Sequence, residues 1–419
     1  MKSVLIIIPF AHIYPPMNGG MQRCFHISNQ LAKHFDVTAI IHQDKESFLK
    51  SVGDYPAIAS VKLFSTKEVV ARDVFNILPQ KFEKALRYRW YKKTLKGSAD
   101  SSLLKYYQIL KALLTKQKFD IIILENLATL NAISVIRKYD QEVKIIYNAH
   151  NVDSNLAKAA FNRGEISLHQ WQGYYKCESN LHKVVDGIFT CSQNDKEEFV
   201  KMNNGKLLSE VVPNGVSIPT KKYDAGVNQD LPEYILFCGS LGSIPNAEGL
   251  NWFCKKIWPM VRKELTSLKL WIVGSGELPE KYNSLKSIAN VVFAGAVPDL
   301  APYYKESAVA IVPLLTGSGT RLKVLEAMGM GVPVISTSIG AEGIDYTDGE
   351  NILIADKEKD FAQHIISLLQ NKMQHQQIAK YGRGLAEQKY DWNVIGYNLL
   401  EALNRCLASG VVIGEENKK

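Results

Sequence analysis

Short apolar runs recur along this chain, each closed by a turn and followed by polar or helix-spaced sequence, and this alternation most restricts the fold. In the first half the runs are Val4–Pro9, Val37–Ile41, Val61–Phe64, Ile121–Leu124, Val143–Tyr147, Gly187–Thr190 and Glu210–Val212. In the second half they are Tyr234–Cys238, Lys269–Val273, Val291–Phe293, Ala308–Leu314 and Pro333–Ser336. All have strand length. Helical spacing appears over Met21–Lys33, about Asn246–Arg262, Asp360–Gln370 and about Trp392–Leu407. Strands alternating with helices imply an α/β chain with parallel sheets. Pro15, Pro16, Gly19 and Gly20 are expected in a loop, which makes the opening a Rossmann-type β-loop-α-β unit without GxGxxG. At 419 residues the chain exceeds one typical core, so two domains are expected. The polar, patternless stretch Lys221–Pro232 lies near their junction.

One stretch carries chemistry. From Gly317 to Met330 the sequence is Gly-Ser-Gly-Thr-Arg-Leu-Lys-Val-Leu-Glu-Ala-Met-Gly-Met, set between two apolar runs. A Gly-rich turn opening a helix leaves backbone N–H groups at the positive end of the helix, a seat for phosphate. Arg321 and Lys323 fall in the first turn, where the helix dipole disfavours cations. An anion at the same place resolves that conflict. Glu326, one turn on among Leu322, Val324, Leu325, Ala327 and Met328, needs donors, and ligand hydroxyls are one supply. A surface pairing of Glu326 with a lysine, with the glycines serving only a turn, is the plainer alternative.

The net charge of +8 favours anionic partners such as nucleotides, acidic lipids or nucleic acid. The six cysteines, Cys24, Cys177, Cys191, Cys238, Cys254 and Cys406, form no CxxC pair, which speaks against a zinc ribbon or disulfide framework and fits reduced thiols in the cytoplasm. The apolar start Val4–Ile8 is too short for a signal peptide and ends in Pro9. No stretch approaches the roughly 20 apolar residues of a membrane span. Between Lys81 and Lys118 eleven basic residues stand against Glu83 and Asp100, interleaved with Phe82, Tyr88, Trp90, Tyr91, Tyr106 and Tyr107. Such a segment suits either an anionic membrane surface or a solvated helix pair covering the first sheet. Glu125, ending its run, is either a cleft residue or a strand-end charge, and Asn214-Gly215 is a tight turn. His150, just after a strand and beside Asn148 and Asn151, is a site candidate, although a lone histidine also serves as a satisfied core residue.

These residues together resemble family 4 glycosyltransferases of the GT-B fold. The resemblance rests on Phe237-Cys-Gly239-Ser240 through Asn246, Trp271-Ile-Val-Gly274-Ser-Gly276, Gly317–Gly331, Val332–Ser336 and Ala341-Glu342-Gly343. Asn18-Gly19-Gly20, His150 and Asn214-Gly215-Val216 extend it to the first half. It implies two Rossmann-like domains facing across a cleft: 1–218 on the acceptor side, 219–390 on the donor side, and 391–419 as a helix packing back toward the first domain, with a frayed tail. It implies transfer of a hexose from a UDP- or GDP-sugar to a glycan or lipid-linked acceptor, with retention and with no metal or other cofactor. From the cysteines and the basic run, the protein is expected in the cytoplasm, peripheral on the membrane's inner face through 81–118, without a nucleic-acid partner.

By the same resemblance His150 lies near the transferred sugar; without a metal, Arg321 and Lys323 are expected to neutralise the departing diphosphate. Gly19, Gly20, Gly239, Ser240, Ser318, Gly319, Thr320, Leu322 and Glu326 are donor-binding positions, Glu326 holding the ribose hydroxyls. Two departures stand out. The first acid of the family's acid-x7-acid motif is here Ser318, so Ser318 and the amides of Gly319 and Thr320 are the substitutes for holding the sugar. The family's Arg and Lys after the glycine of the Gly239 loop are missing, because Ser240 to Asn246 contains no cation. No nucleophilic carboxylate stands out, which favours departure and attack on one face. Two rival readings remain open at this point: an epimerase on the same fold, and a basic nucleic-acid- or lipid-binding protein with a vestigial donor site.

Overall fold

The computed structural model describes residues 1–10, 13–14, 16, 18–53, 55–67, 100–219, 234–317 and 319–408. They form two compact units, one of Met1–Val212 with Gly396–Lys419 and one of Pro213–Ile395. The second division falls inside the helix Trp392–Ala408.

The first unit is built on β1 (Ser3–Ile7), β2 (Asp36–Ile41), β3 (Lys62–Ser65), β4 (Ile121–Glu125), β5 (Lys144–Asn148), β6 (Gly187–Thr190) and β7 (Ser209–Val211). The spatial order is β3-β2-β1-β4-β5-β6-β7, with every neighbour parallel. Covering helices bury both faces of such a sheet, so its strands are continuous apolar runs rather than alternating ones. Ile121 to Leu124 are all excluded from solvent. Each such side chain contributes about 1.5–3 kcal/mol by burial. The order reverses between β1 and β4, and ligands of open α/β sheets gather beyond the carboxyl ends of strands at such a switch point.

The second unit repeats the plan with β8 (Tyr234–Cys238), β9 (Lys269–Val273), β10 (Val291–Gly295), β11 (Val309–Val312), β12 (Val334–Ser336) and β13 (Leu353–Ile354). Its order is β10-β9-β8-β11-β12-β13, again all parallel, with the switch between β8 and β11. β13 is only two residues long and pairs Ile335 with Leu353. A run that short has no readable period.

Several expectations change. Gly19 and Gly20 are not loop residues: they begin the helix Gly19–Ala32, capped by Asn18, whose side chain accepts from the Met21 amide at 3.0 Å. The expected helix from Asn246 to Arg262 is three pieces: Ile244–Trp252, a widened π turn Phe253–Ile257, and Trp258–Glu264. Pro259 is the reason, since it lacks an N–H and its ring crowds the preceding turn. A helix Lys372–Leu385 was not foreseen. Of the basic run, 81–99 lies outside the described residues. The helix Asp100–Lys116 covers the first sheet, with Ile109, Leu110 and Leu113 in that unit's core and Tyr106 Oη donating to the Ile8 carbonyl. The later part of Trp392–Ala408 also packs on the first unit. A Cβ on Gly396 would lie 2.5 Å from Gln30 Oε1, and Arg405 grips Glu210 at 2.9 and 3.0 Å. Among the described residues no helix is long and apolar enough to cross a membrane.

Candidate functional site

In each unit the described residues include a polar cluster beyond the carboxyl ends of the strands. In the first unit β4 ends in Glu125, β5 ends in Asn148, and His150 follows two residues later. All three are buried. His150 Nε2 lies 2.8 Å from Glu125 Oε2, and Asn148 Nδ2 donates to both carboxylate oxygens at 3.0 and 2.9 Å. Arg23, buried on the helix Gly19–Ala32, donates through Nε and Nη2 to Asn148 Oδ1 at 3.0 and 2.5 Å and through Nη1 to the Val212 carbonyl at 2.7 Å. Cys24 Sγ donates to Glu125 Oε2 at 3.4 Å. The Phe10 ring stacks on His150 at 5.7 Å. Gly20 sits against the same ring: a Cβ there would lie 2.8 Å from Phe10 and 3.1 Å from His150 Nδ1.

Burial alone raises the Glu125 carboxyl, but the His150 hydrogen bond and charge, then Asn148 and Arg23, outweigh it and hold the group below the usual carboxylate range. Burial, then the charge and hydrogen bond of Glu125, push the Cys24 thiol well up. Among the described residues Cys24, Glu125 and His150 are the group whose ligand atoms all lie within 4.8 Å of one another, close enough for a metal ion. Thiolate is the ligand form of cysteine. Burial beside the Glu125 carboxylate disfavours that form, and the same three side chains are joined by hydrogen bonds.

In the second unit the turn after β8 meets the turn after β11. Lys323 Nζ donates to Asn246 Oδ1 at 2.8 Å and lies 4.5 Å from the Phe237 ring centroid. Asn246 Nδ2 donates to the Ser240 carbonyl at 2.8 Å. Gly239 leaves room for this: a Cβ there would fall 2.6 Å from Lys323 Nζ. The cation missing from Ser240–Asn246 is thus supplied to that loop by Lys323. Desolvation, joined by the Arg321 charge, outweighs the raising effect of Cys238 and Glu326 and lowers the Lys323 ammonium to about 8. Arg321 stands just before the helix Leu322–Gly329, whose start has no side-chain cap. Its guanidinium donates to the Ile339 carbonyl at 3.3 Å and lies 3.7 Å from Glu342. Glu326 Oε2 accepts from buried Tyr304 Oη at 3.4 Å. Thr320 packs on Gly343, where a Cβ would be 3.1 Å from Thr320 Oγ1. Leu322 turns its side chain to the core of the unit. Ser318 lies outside the described residues. Two cations beside uncapped helix amides at one switch point are electrostatically suited to a doubly charged anion.

The structure therefore groups Gly20 and His150, with Gly19 in the same helix turn, in the first unit. It groups Gly239, Ser240, Thr320, Arg321, Lys323 and Glu326, with Gly319 in the intervening turn, in the second. Arg23, Cys24, Asn246 and Tyr304 were not foreseen as site residues. Arg23 carries the one legible signal, a cation inside an otherwise apolar helix stripe.

Comparison with known proteins fits this second cluster. The family model described as Glycosyl transferases group 1 matches residues 232–371. The matched segment, about a third of the chain, contains the Gly239 loop, Arg321, Lys323 and Glu326. An uncharacterized 44.6 kDa protein in the cps region of Klebsiella pneumoniae is 30% identical over 260 residues, 59% of this chain and 65% of that protein. An uncharacterized glycosyltransferase of Haemophilus influenzae is 27% identical over 185 residues, 42% of this chain and 47% of its own. The match thus spans less than two thirds of either relative. Anabaena HepE, solved in complex with UDP-glucose, superposes with a TM-score of 0.64 at 14% identity, covering 97% of this chain and 100% of that one. That likeness shows the fold, two Rossmann-like units of the GT-B class.

Proposed function

We propose that the protein is a glycosyltransferase that moves a hexose from a UDP- or GDP-sugar to a glycan or lipid-linked acceptor, with retention and without a metal. The observation that carries this reading is Lys323: a half-buried ammonium held over Gly239 by Asn246, beside Arg321 and the start of a helix, in the segment that the group 1 family model matches. In the reaction the bond from the anomeric carbon to the diphosphate oxygen breaks and its electrons pass to the diphosphate. Lys323, Arg321 and the first amides of the helix stabilise that charge electrostatically. The acceptor hydroxyl forms the new bond on the face the diphosphate leaves and passes its proton to the departing diphosphate oxygen. Glu326, steadied by Tyr304, takes the ribose hydroxyls, and Ser318 with the Gly319 and Thr320 amides takes the sugar. His150 with Gly19 and Gly20 serves the transferred sugar and diphosphate.

The UDP-glucose bound to HepE supports starting with uridine donors. A thermal-shift screen of UDP-, GDP- and ADP-sugars tests the reading, because a ligand of the folded state raises the melting point. One nucleotide class is expected to do so, and product analysis with acceptor is expected to show a retained glycosidic linkage. An epimerised sugar formed from donor alone would overturn it. Location in the cytoplasm and contact of 81–118 with anionic lipid belong to the same proposal. Binding to phosphatidylserine vesicles that weakens with salt is the check.

A further inference from the structure

We propose that Glu125 is the positioning residue for His150, itself locked by Asn148 and Arg23, so that His150 always presents Nδ1, on its Gly20 side, to a sugar hydroxyl. The inference rests on the glycosyl-transfer reading and adds to it a four-residue orienting chain. Glu125 is wholly buried, yet its carboxylate receives Asn148 Nδ2 on both oxygens, the Cys24 thiol and His150 Nε2. A buried carboxylate persists only when donors surround it. The orientation of the Asn148 amide is not free either. Two guanidinium nitrogens of Arg23 hold its oxygen, which turns its NH2 toward Glu125.

Arg23 is in turn anchored on the Val212 carbonyl. The consequence falls on His150. With Nε2–H given to Glu125, the neutral ring carries its lone pair on Nδ1, and the stacked Phe10 ring together with Gly20 resists a flip. Nδ1 is thus an acceptor for a hydroxyl in the neutral ring and a donor in the protonated one. Glu125 touches no substrate in this scheme and acts only through the imidazole.

The test uses the full chain. Ring-nitrogen NMR of wild-type protein, with the His150 signal assigned by its loss in His150→Ala, is expected to show the Nε2–H tautomer. An Nδ1–H tautomer would overturn the proposal whether or not transfer has been detected. Glu125→Gln is expected to mix the tautomers and lower kcat by about 10- to 100-fold, with donor KM little changed, since small misplacements of a reacting group cost that much. Glu125→Asp is expected to recover part of the loss. Glu125→Gln with His150→Ala together are expected to be no worse than His150→Ala alone. Wild-type kcat in Glu125→Gln, or fully multiplied losses in the double variant, would sink the inference. Absence of transfer by wild-type protein with every donor would instead sink the underlying reading and leave the tautomer result standing.

Discussion

The two polar clusters sit at equivalent places, the switch points of two parallel sheets, yet they are built in opposite ways. The first is closed on itself. Arg23, Asn148, Glu125, Cys24 and His150 satisfy one another inside the unit. The second is built around a desolvated cation. The Lys323 ammonium donates to Asn246 and sits over the face of Phe237. Holding it charged there at neutral pH costs about 3 kcal/mol, from the displacement of its proton equilibrium to about 8. A closed network is suited to orienting one group. A desolvated cation is suited to receiving an anion, and binding of an anion there would offset the cost.

That contrast can be broken or sharpened by experiment. Lys323→Ala should have the largest effect, about 100- to 1,000-fold in kcat/KM, with the melting point unchanged or raised because a buried charge is gone. Wild-type turnover at low donor concentration would remove Lys323 from the site. Gly239→Ala should raise donor KM about tenfold, because its new methyl occupies space 2.6 Å from Nζ and forces the ammonium aside. Unchanged KM would show that the ammonium does not work from that position.

The pH dependence should separate the clusters. Lys323 releases its proton at about 8 when folded and at 10.5 when unfolded. Below pH 8 it is charged in both states and the fold bears the desolvation cost; between 8 and 10.5 the unfolded chain holds more protons, so stability from this group rises with pH. Donor binding has the opposite sign. An anion favours the ammonium, so affinity should fall as pH rises past 8, by up to about tenfold per unit, and that fall should vanish in Lys323→Ala. A pH-independent donor Kd from 7 to 9.5, read by calorimetry, would contradict the assignment.

Gly20→Ala should act on the closed cluster instead. Its methyl meets Phe10 at 2.8 Å and His150 at 3.1 Å, and overpacking of this kind costs about 1–3 kcal/mol, read as a shift in the urea midpoint without change in slope. A neutral result would mean that the ring stack yields freely. The smallest expected effect is that of a chelator. EDTA should leave transfer unchanged, and a loss restored by a divalent ion would transfer the diphosphate charge from Lys323 and Arg321 to a metal.

Much of this molecule was legible in one dimension. Continuous apolar runs separated by helical spacing give parallel sheets, because a strand buried on both faces tolerates no polar alternation. The turn from Gly317 to Glu326 stood out as a candidate anion seat because glycines, a helix start and two cations are adjacent in sequence. Local signals failed where tertiary packing overrode them. Gly19 and Gly20 read as loop but begin a helix once Asn18 caps it, and a helix through Pro259 had to open into a π turn.

What only the folded chain decided is which distant groups meet. Arg23 and Asn148 stand 125 positions apart, and Lys323 and Asn246 stand 77 apart. Sequence pattern records periodicity and neighbours, whereas hydrogen bonding between side chains depends on strand order. The order β1-β4-β5 places Glu125, Asn148 and His150 side by side, and the order β8-β11 places Lys323 over Gly239.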